Sequence, residues 1–382
     1  MNMLKTILKM VGALAVGGII GFAVAAAAIV LFGDTTFAEF ADKLSGIDVP
    51  ELLAAIAVGV ASLMVSVALL VVIHEAGHLV CGLASGYSFV SFRIFSLTFI
   101  REAGRLRVKR FSLAGTGGQC LLCPPDLPLE KIPVVWYNAG GLLANIVAFV
   151  AVLPLMWLDV SPFVKEFACI FLLVDAGLLL INGIPMQSSG MGNDAYNMIA
   201  LRRNLAAKRG VMLQLRANSL IQSGVRPKDM PEGWFAVPER VDYSNALEVS
   251  VPLMEASRLL DMERWEDAYE AFGDLYEHRD EIMPLYVKEI ACELAFCSMI
   301  MGRIAEAEAL LDDSLRKYID DYRRVVSSKE RLLCAEALFV EHDRQKAESI
   351  YHSLERNSAR YLLQGEVRSD LAIMRSFLVT DS

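Results

Sequence analysis

Residues 69–86 read LLVVIHEAGHLVCGLASG, which sets two histidines and a glutamate inside an otherwise apolar run. On a helix His74 and His78 stand at i and i+4 and share a face, so both imidazoles can reach one metal ion. Glu75 then sits beside that ion, where its carboxylate can take a proton from bound water. Together the residues form an H-E-x-x-H pattern, for which Zn2+ is the expected metal, lowering the pKa of a bound water to about 7. The plainer alternative is a pair of satisfied core histidines. A glutamate within a membrane span costs roughly 2.5–3.5 kcal/mol on insertion scales, so ionisable groups there are functional by default.

The rest of the chain supplies the membrane. Its 382 residues are 55% hydrophobic, with mean hydropathy +0.43, too apolar for an ordinary soluble enzyme. Residues 10–32, 52–73 and 132–158 carry no charge, and 167–185 carries Asp175 alone. Each run is long enough to cross a hydrocarbon core. The expected fold is therefore mostly α, with four membrane-spanning helices and a small β-hairpin at the membrane face, followed by an α-helical repeat domain. The expected divisions are an N-terminal transmembrane anchor and external loop (1–50), an intramembrane core (51–201), a linker (202–245) and a soluble helical domain (246–382). The first run has features of a secretory signal, but its length favours a retained anchor.

Net charge is −9, and its distribution sets a topology. Lys5 and Lys9 precede the first run. Acidic residues dominate 33–51. Arg93, Arg101, Arg105, Arg107, Lys109 and Arg110 follow the second run, and Arg202, Arg203, Lys208 and Arg209 follow the fourth. The positive-inside bias makes this a multi-pass protein of the cell membrane with both termini cytoplasmic. Residues 79–86 continue the second span, which puts the metal about 12 Å inside the cytoplasmic face. The basic clusters lack aromatic interleaving, so no nucleic-acid partner is expected. Seven cysteines, an odd number and mostly on the cytoplasmic side, exclude a disulfide framework.

Tetrahedral catalytic zinc takes a third protein ligand and keeps one position for water. The other histidines lie in the soluble half, so the third ligand is an acid or a cysteine of the membrane half. Asp175 and Asp194 stand out. Membrane-anchored ATP-dependent zinc proteases share H-E-A-G-H but need a phosphate-binding loop, G-x-x-x-x-G-K-[ST], which this chain lacks.

Three motifs together resemble the site-2 protease family of intramembrane zinc metalloproteases: the H-E-x-x-H pattern, Gly141 to Asn145 as G-x-x-x-N, and Asn182 to Pro185 as N-x-x-P. The resemblance covers roughly residues 52–201. It implies His74, His78 and Asp194 as zinc ligands, Glu75 as catalytic base, and Asn145 and Asn182 as substrate-binding residues. The family's glycine after the ligand aspartate is Ala195 here. Interhelical hydrogen bonding is the other reading of both asparagines, and the preferred one for Asn182.

Residues 87–113 read as a hairpin, with SFVSFRIFSLTFI as one strand and a turn at Gly104. By the resemblance, its free edge could pair with an unwound substrate. Cys120 and Cys123 read as part of a loop capping the site, without a metal role. In the soluble half, Ala268, Ala307 and Ala347 recur 39 and 40 residues apart by subtraction, each near the start of a helix after a polar turn. This resembles tetratricopeptide repeats, against a non-repeating bundle, and implies a protein partner. The expected function is an intramembrane zinc metalloendopeptidase acting on a membrane protein or peptide in the lipid bilayer. The alternative is a catalytically inactive membrane scaffold working through its helical repeats. A metal-dependent transporter is disfavoured by the lack of an inverted repeat.

Overall fold

The computed structural model describes residues 48–102, 105–110, 117–188 and 191–380, together with Thr36, Glu39 and Asp42. The expected first span, 10–32, lies outside the described residues. The chain divides into two compact units, Met1–Met64 and Val65–Ser382, and the functional residues considered below all belong to the second. The described residues hold thirteen α-helices, a small four-stranded sheet and a short two-stranded one, Gln187–Ser188 with Met191–Gly192.

Helix α1 (Val49–Ala84) is apolar along most of its length, with His74, Glu75 and His78 in its last third. It ends where Gly86 turns left-handed (φ 88°) and the Tyr87 amide reaches back to the Gly82 carbonyl, a glycine-closed helix end. Four strands follow: β1 (Ser88–Ile94), β2 (Leu97–Glu102), β3 (Arg105–Arg110) and β4 (Gly118–Cys123). They form an antiparallel sheet in the order β3-β2-β1-β4. The expected single strand is thus two. The chain reverses at Phe95, whose φ of 51° and amide bond to the Gly117 carbonyl (2.8 Å) make a turn at a residue that does not signal one. The residues read as a capping loop, 118–123, are an edge strand. Phe92 to Ile94 pair on both sides, so that stretch offers no free edge.

Helices α2 (Val135–Val152) and α3 (Pro162–Gly183) come next. Ser161 caps α3, accepting from the Val164 amide with Pro162 in the first turn. Gly77 of α1 and Gly140 of α2 touch backbone to backbone, leaving no room for a Cβ at either. Only Leu53–Ala84 and Leu129–Met156, among the described residues, are long and apolar enough to cross a membrane, with hydropathies of 2.8 and 2.1. Of the four expected spans, the second and third qualify, the fourth does not, and the first lies outside the described residues. The fourth expected run lies on α3, which carries Asp175 within it and Lys165 and Glu166 before it.

The expected linker is ordered and packed. Helix α4 (Asp194–Arg203), capped by Asn193, leads into it, and α5 (Leu205–Ser223), capped by Asn204, forms its first half. One side of α5 shares a core with the sheet through Ala207, Met212, Leu215, Tyr87, Leu122 and Ile132. The other buries Leu213, Ala217 and Ile221 against Phe235 and Val251. Because α5 is apolar on both sides, sheet and helical repeats belong to one unit.

The remaining helices are α6 (Ala246–Asp261), α7 (Trp265–Glu277), α8 (Pro284–Ile300), α9 (Ile304–Leu310), α10 (Asp313–Tyr322), α11 (Ser328–Ala335), α12 (Arg344–Asn357) and α13 (Gln364–Thr380). They form helical hairpins. The turns of α6–α7, α8–α9 and α11–α12 each contain a left-handed residue: Glu263 (φ 60°), Gly302 (φ 74°) and His342 (φ 55°). By subtraction these recur at the same 39- and 40-residue spacing as Ala268, Ala307 and Ala347, all fully buried.

Candidate metal centre

Five elements, α1 to α4 and β4, assemble the centre. Helix α1 presents His74 and His78 one turn apart, and α4 brings Asp194 onto them. Asp194 Oδ2 lies 3.1 Å from His74 Nε2 and 3.4 Å from His78 Nε2, and the two Nε2 atoms are 3.2 Å apart. Among the described residues these three side chains are the group whose donor atoms converge, all within 4.8 Å of one another. Local structure explains the position of Asp194. Asn193 caps α4 through Oδ1, and its Nδ2 donates to the carbonyls of Ile181 (2.5 Å) and Ile184 (2.6 Å) at the end of α3. The side chain before Asp194 therefore ties the start of α4 to the broken end of α3.

The imidazoles are oriented from behind. With the proton on Nδ1, His78 donates to the Tyr137 carbonyl (2.8 Å) and His74 donates to Asn145 Oδ1 (3.2 Å). Asn145 in turn donates through Nδ2 to Asp175 Oδ1 (2.7 Å). Both Nε2 lone pairs are then free for a metal, as outer partners of metal-ligating histidines generally arrange. Gly141 of α2 makes the space. A Cβ there would lie 2.5 Å from His74 Cε1 and 2.6 Å from His78 Nε2.

These contacts separate the two acids that the sequence leaves open. Asp194 lies with the histidines, whereas Asp175, fully buried on α3, is held by Asn145. Asn145 is itself 1% exposed, and both ends of its amide are engaged, so it orients His74 instead of facing a substrate. Asn182 is not joined to the cluster; its amide donates to the Leu178 carbonyl of its own helix (3.2 Å).

Glu75 faces β4. The Cys120 backbone amide approaches its carboxylate, and a Cβ on Gly118 would come within 2.6 Å of Glu75 Cγ and Oε1. The Cys120 carbonyl accepts from Tyr137 Oη (2.7 Å), so the same edge strand steadies the helix that holds His78. Neither backbone partner had a sequence signal, because any residue supplies a carbonyl or an amide. Arg93, which the charge count assigns to the membrane surface, is 2% exposed and donates to the carbonyls of Phe95 (3.0 Å) and Gly118 (3.2 Å). Burial lowers its pKa, and the nearby Glu75 charge opposes that.

The donor set fits zinc: two neutral imidazole nitrogens and one carboxylate oxygen. Asp194 Oδ2 is buried and, despite its two imidazole neighbours, accepts no well-aligned hydrogen bond. Burial would raise the Asp194 pKa, but the imidazoles, when protonated, outweigh it and bring it down to about 2. Burial pushes the Cys120 thiol up to about 12, and Cys120 is not in the cluster. No family model, curated protein or solved structure matches the chain.

Proposed function

We propose that this chain is a zinc metalloendopeptidase that cuts membrane-spanning or signal-derived segments near the cytoplasmic face of the cell membrane. The observation that carries the reading is the convergence of Asp194 from α4 on His74 and His78, with Glu75 alongside, on α1, a helix long and apolar enough to cross a membrane. The reading includes a multi-pass arrangement with both termini cytoplasmic, as the basic clusters imply.

His74, His78 and Asp194 would hold the metal. A zinc ion bound there supplies Lewis acidity and makes a water acidic enough to lose its proton near neutral pH. Glu75 takes that proton on a carboxylate oxygen while the water oxygen adds to the scissile carbonyl carbon. Glu75 then hands the proton to the amide nitrogen as the carbon–nitrogen bond breaks, so the base is regenerated. The Cys120 amide and the close backbone of Gly118 hold the carboxylate in position. Asn145 and Asp175 hold His74 in the tautomer with Nε2 free. A vestigial site in an inactive scaffold would need neither Glu75 nor the glycine that makes room for it.

The test pairs metal analysis with membrane peptidomics on wild type and Glu75→Gln. Both proteins should carry about one zinc, and a membrane peptide should accumulate uncut only in the variant. Equal cleavage in the two, or a zinc-free wild type, rejects the reading.

A further inference from the structure

A cleft of about 580 Å³ opens where α2 begins, between the segment leading into that helix, the end of α4 and the start of α5. Lys131, Arg202, Arg203 and Lys208 line it, and Glu130 is the one carboxylate among its lining residues. None of the four cations forms an ion pair among the described residues.

Arg202 and Arg203 have a local reason for their charge, since they close α4 at the negative end of its dipole. Lys208 has none. It is the fourth residue of α5, near the positive end of that helix, whose first turn holds no acid. It is 5% exposed, and its ammonium makes a single hydrogen bond, to the Glu130 backbone carbonyl (3.2 Å). An ammonium has three donors, and one buried without a counterion is costly. Burial lowers its pKa, and the Glu130 charge opposes that in part. The start of α2 adds a second positive helix end, with no side chain capping it and no acid in its first turn. The cleft therefore calls for an anion.

An apolar track leaves the cleft along α2. Trp136 lines the cleft and is 62% exposed. Leu143, Val147 and Val150 follow at steps of seven, four and three residues by subtraction, which keeps all four on one helix face, and all are exposed. The run Leu129–Met156 is long and apolar enough to cross a membrane, and tryptophan favours the boundary of such a run with water. A soluble anion would engage the cations alone. A molecule with an anionic head and acyl chains engages the cations and the track together.

We infer that the cleft binds the phosphate headgroup of an anionic phospholipid, with an acyl chain lying along Trp136, Leu143, Val147 and Val150. The inference rests on α2 spanning a bilayer and is independent of the metal centre.

Binding of radiolabelled phosphatidylglycerol to the detergent-solubilised full chain tests it, with phosphatidylcholine and inorganic phosphate as competitors. Phosphatidylcholine should compete at least tenfold more weakly than unlabelled phosphatidylglycerol, and inorganic phosphate in about hundredfold excess should leave the lipid bound. Lys208→Met keeps the buried stem and removes the charge, so it should weaken phosphatidylglycerol at least tenfold with an unchanged circular dichroism spectrum. Equal competition by the two lipids, or unchanged affinity in Lys208→Met, overturns the inference. Displacement by inorganic phosphate also overturns it, by assigning the cleft to a soluble anion. Should Lys208→Met fail to fold, the double variant Arg202→Gln, Arg203→Gln changes exposed positions only. It must then weaken the lipid at least tenfold, and a folded double variant with wild-type affinity overturns the proposal. Lipid binding is read without proteolysis or zinc, so its failure leaves the metalloendopeptidase reading standing.

Discussion

At the residue scale, Asp194 and Asp175 have different work. Asp194→Asn removes the anionic donor and should leave purified protein with less than a tenth of wild-type zinc, read by metal analysis. Asp175→Asn leaves all three donors in place but loosens Asn145 and, through it, His74. Zinc affinity should fall about 10- to 100-fold, the usual effect of losing an outer partner. A loss of metal in Asp175→Asn alone, with Asp194→Asn unaffected, would exchange the two roles. The glycines give a second pair. Gly141→Ala drives a methyl into both imidazoles and should abolish zinc retention. Gly118→Ala presses on Glu75 alone, so zinc should persist while turnover falls at least tenfold. Zinc lost equally from both variants would mean that neither contact is specific.

At the scale of elements, the repeated helical hairpins depend on a left-handed residue in each turn. Gly302 adopts it freely, but Glu263 and His342 do so at a cost of about 1–2 kcal/mol for an L side chain. Glycine gives back part of that gain through the added entropy of its unfolded chain. Glu263→Gly and His342→Gly, both at exposed positions, should each stabilise the protein by about 0.5–1 kcal/mol in chemical denaturation. Destabilisation by either would mean that the side chain makes a contact outweighing the strain.

At the scale of the whole molecule, the buried acids of the helical half make stability depend on pH. Glu366 titrates near 4.5 when unfolded, and burial, its largest cause, raises this to about 8 in the fold. Asp370, Glu289 and Glu293 add to the rise and Lys329 opposes it. The folded state therefore keeps a proton that the unfolded state releases, so stability falls as pH climbs from about 4.5 through about 8. Thermal midpoints of wild type and Glu366→Gln should agree near pH 5, and the variant should melt higher near pH 8.5. Parallel curves across that range would remove Glu366 as the source.

The helix that carries His74, Glu75 and His78 was legible in the sequence because its signal is local. His74, Glu75 and His78 need only the 3.6-residue repeat to share a face, and the apolar runs around 52–73 and 132–158 report helices by composition. The helical character of the second half was readable for a similar reason, and Ala268, Ala307 and Ala347, spaced by 39 and 40 residues, are all fully buried. The turn at Phe95 was not legible, because phenylalanine does not favour a left-handed backbone and the carbonyl that its amide meets, Gly117, is distant in sequence. Neither was the packing of α5, which looked like a linker until both its faces met partners distant in sequence. The position of each aspartate was likewise decided in three dimensions. Asp175 and Asp194 look alike along the chain, and only the folding of α4 back onto α1, tied by Asn193, brings one of them to the histidines and leaves the other behind Asn145. A carboxylate's role depends on what lies within about 4 Å of it, and for these two those neighbours come from other helices.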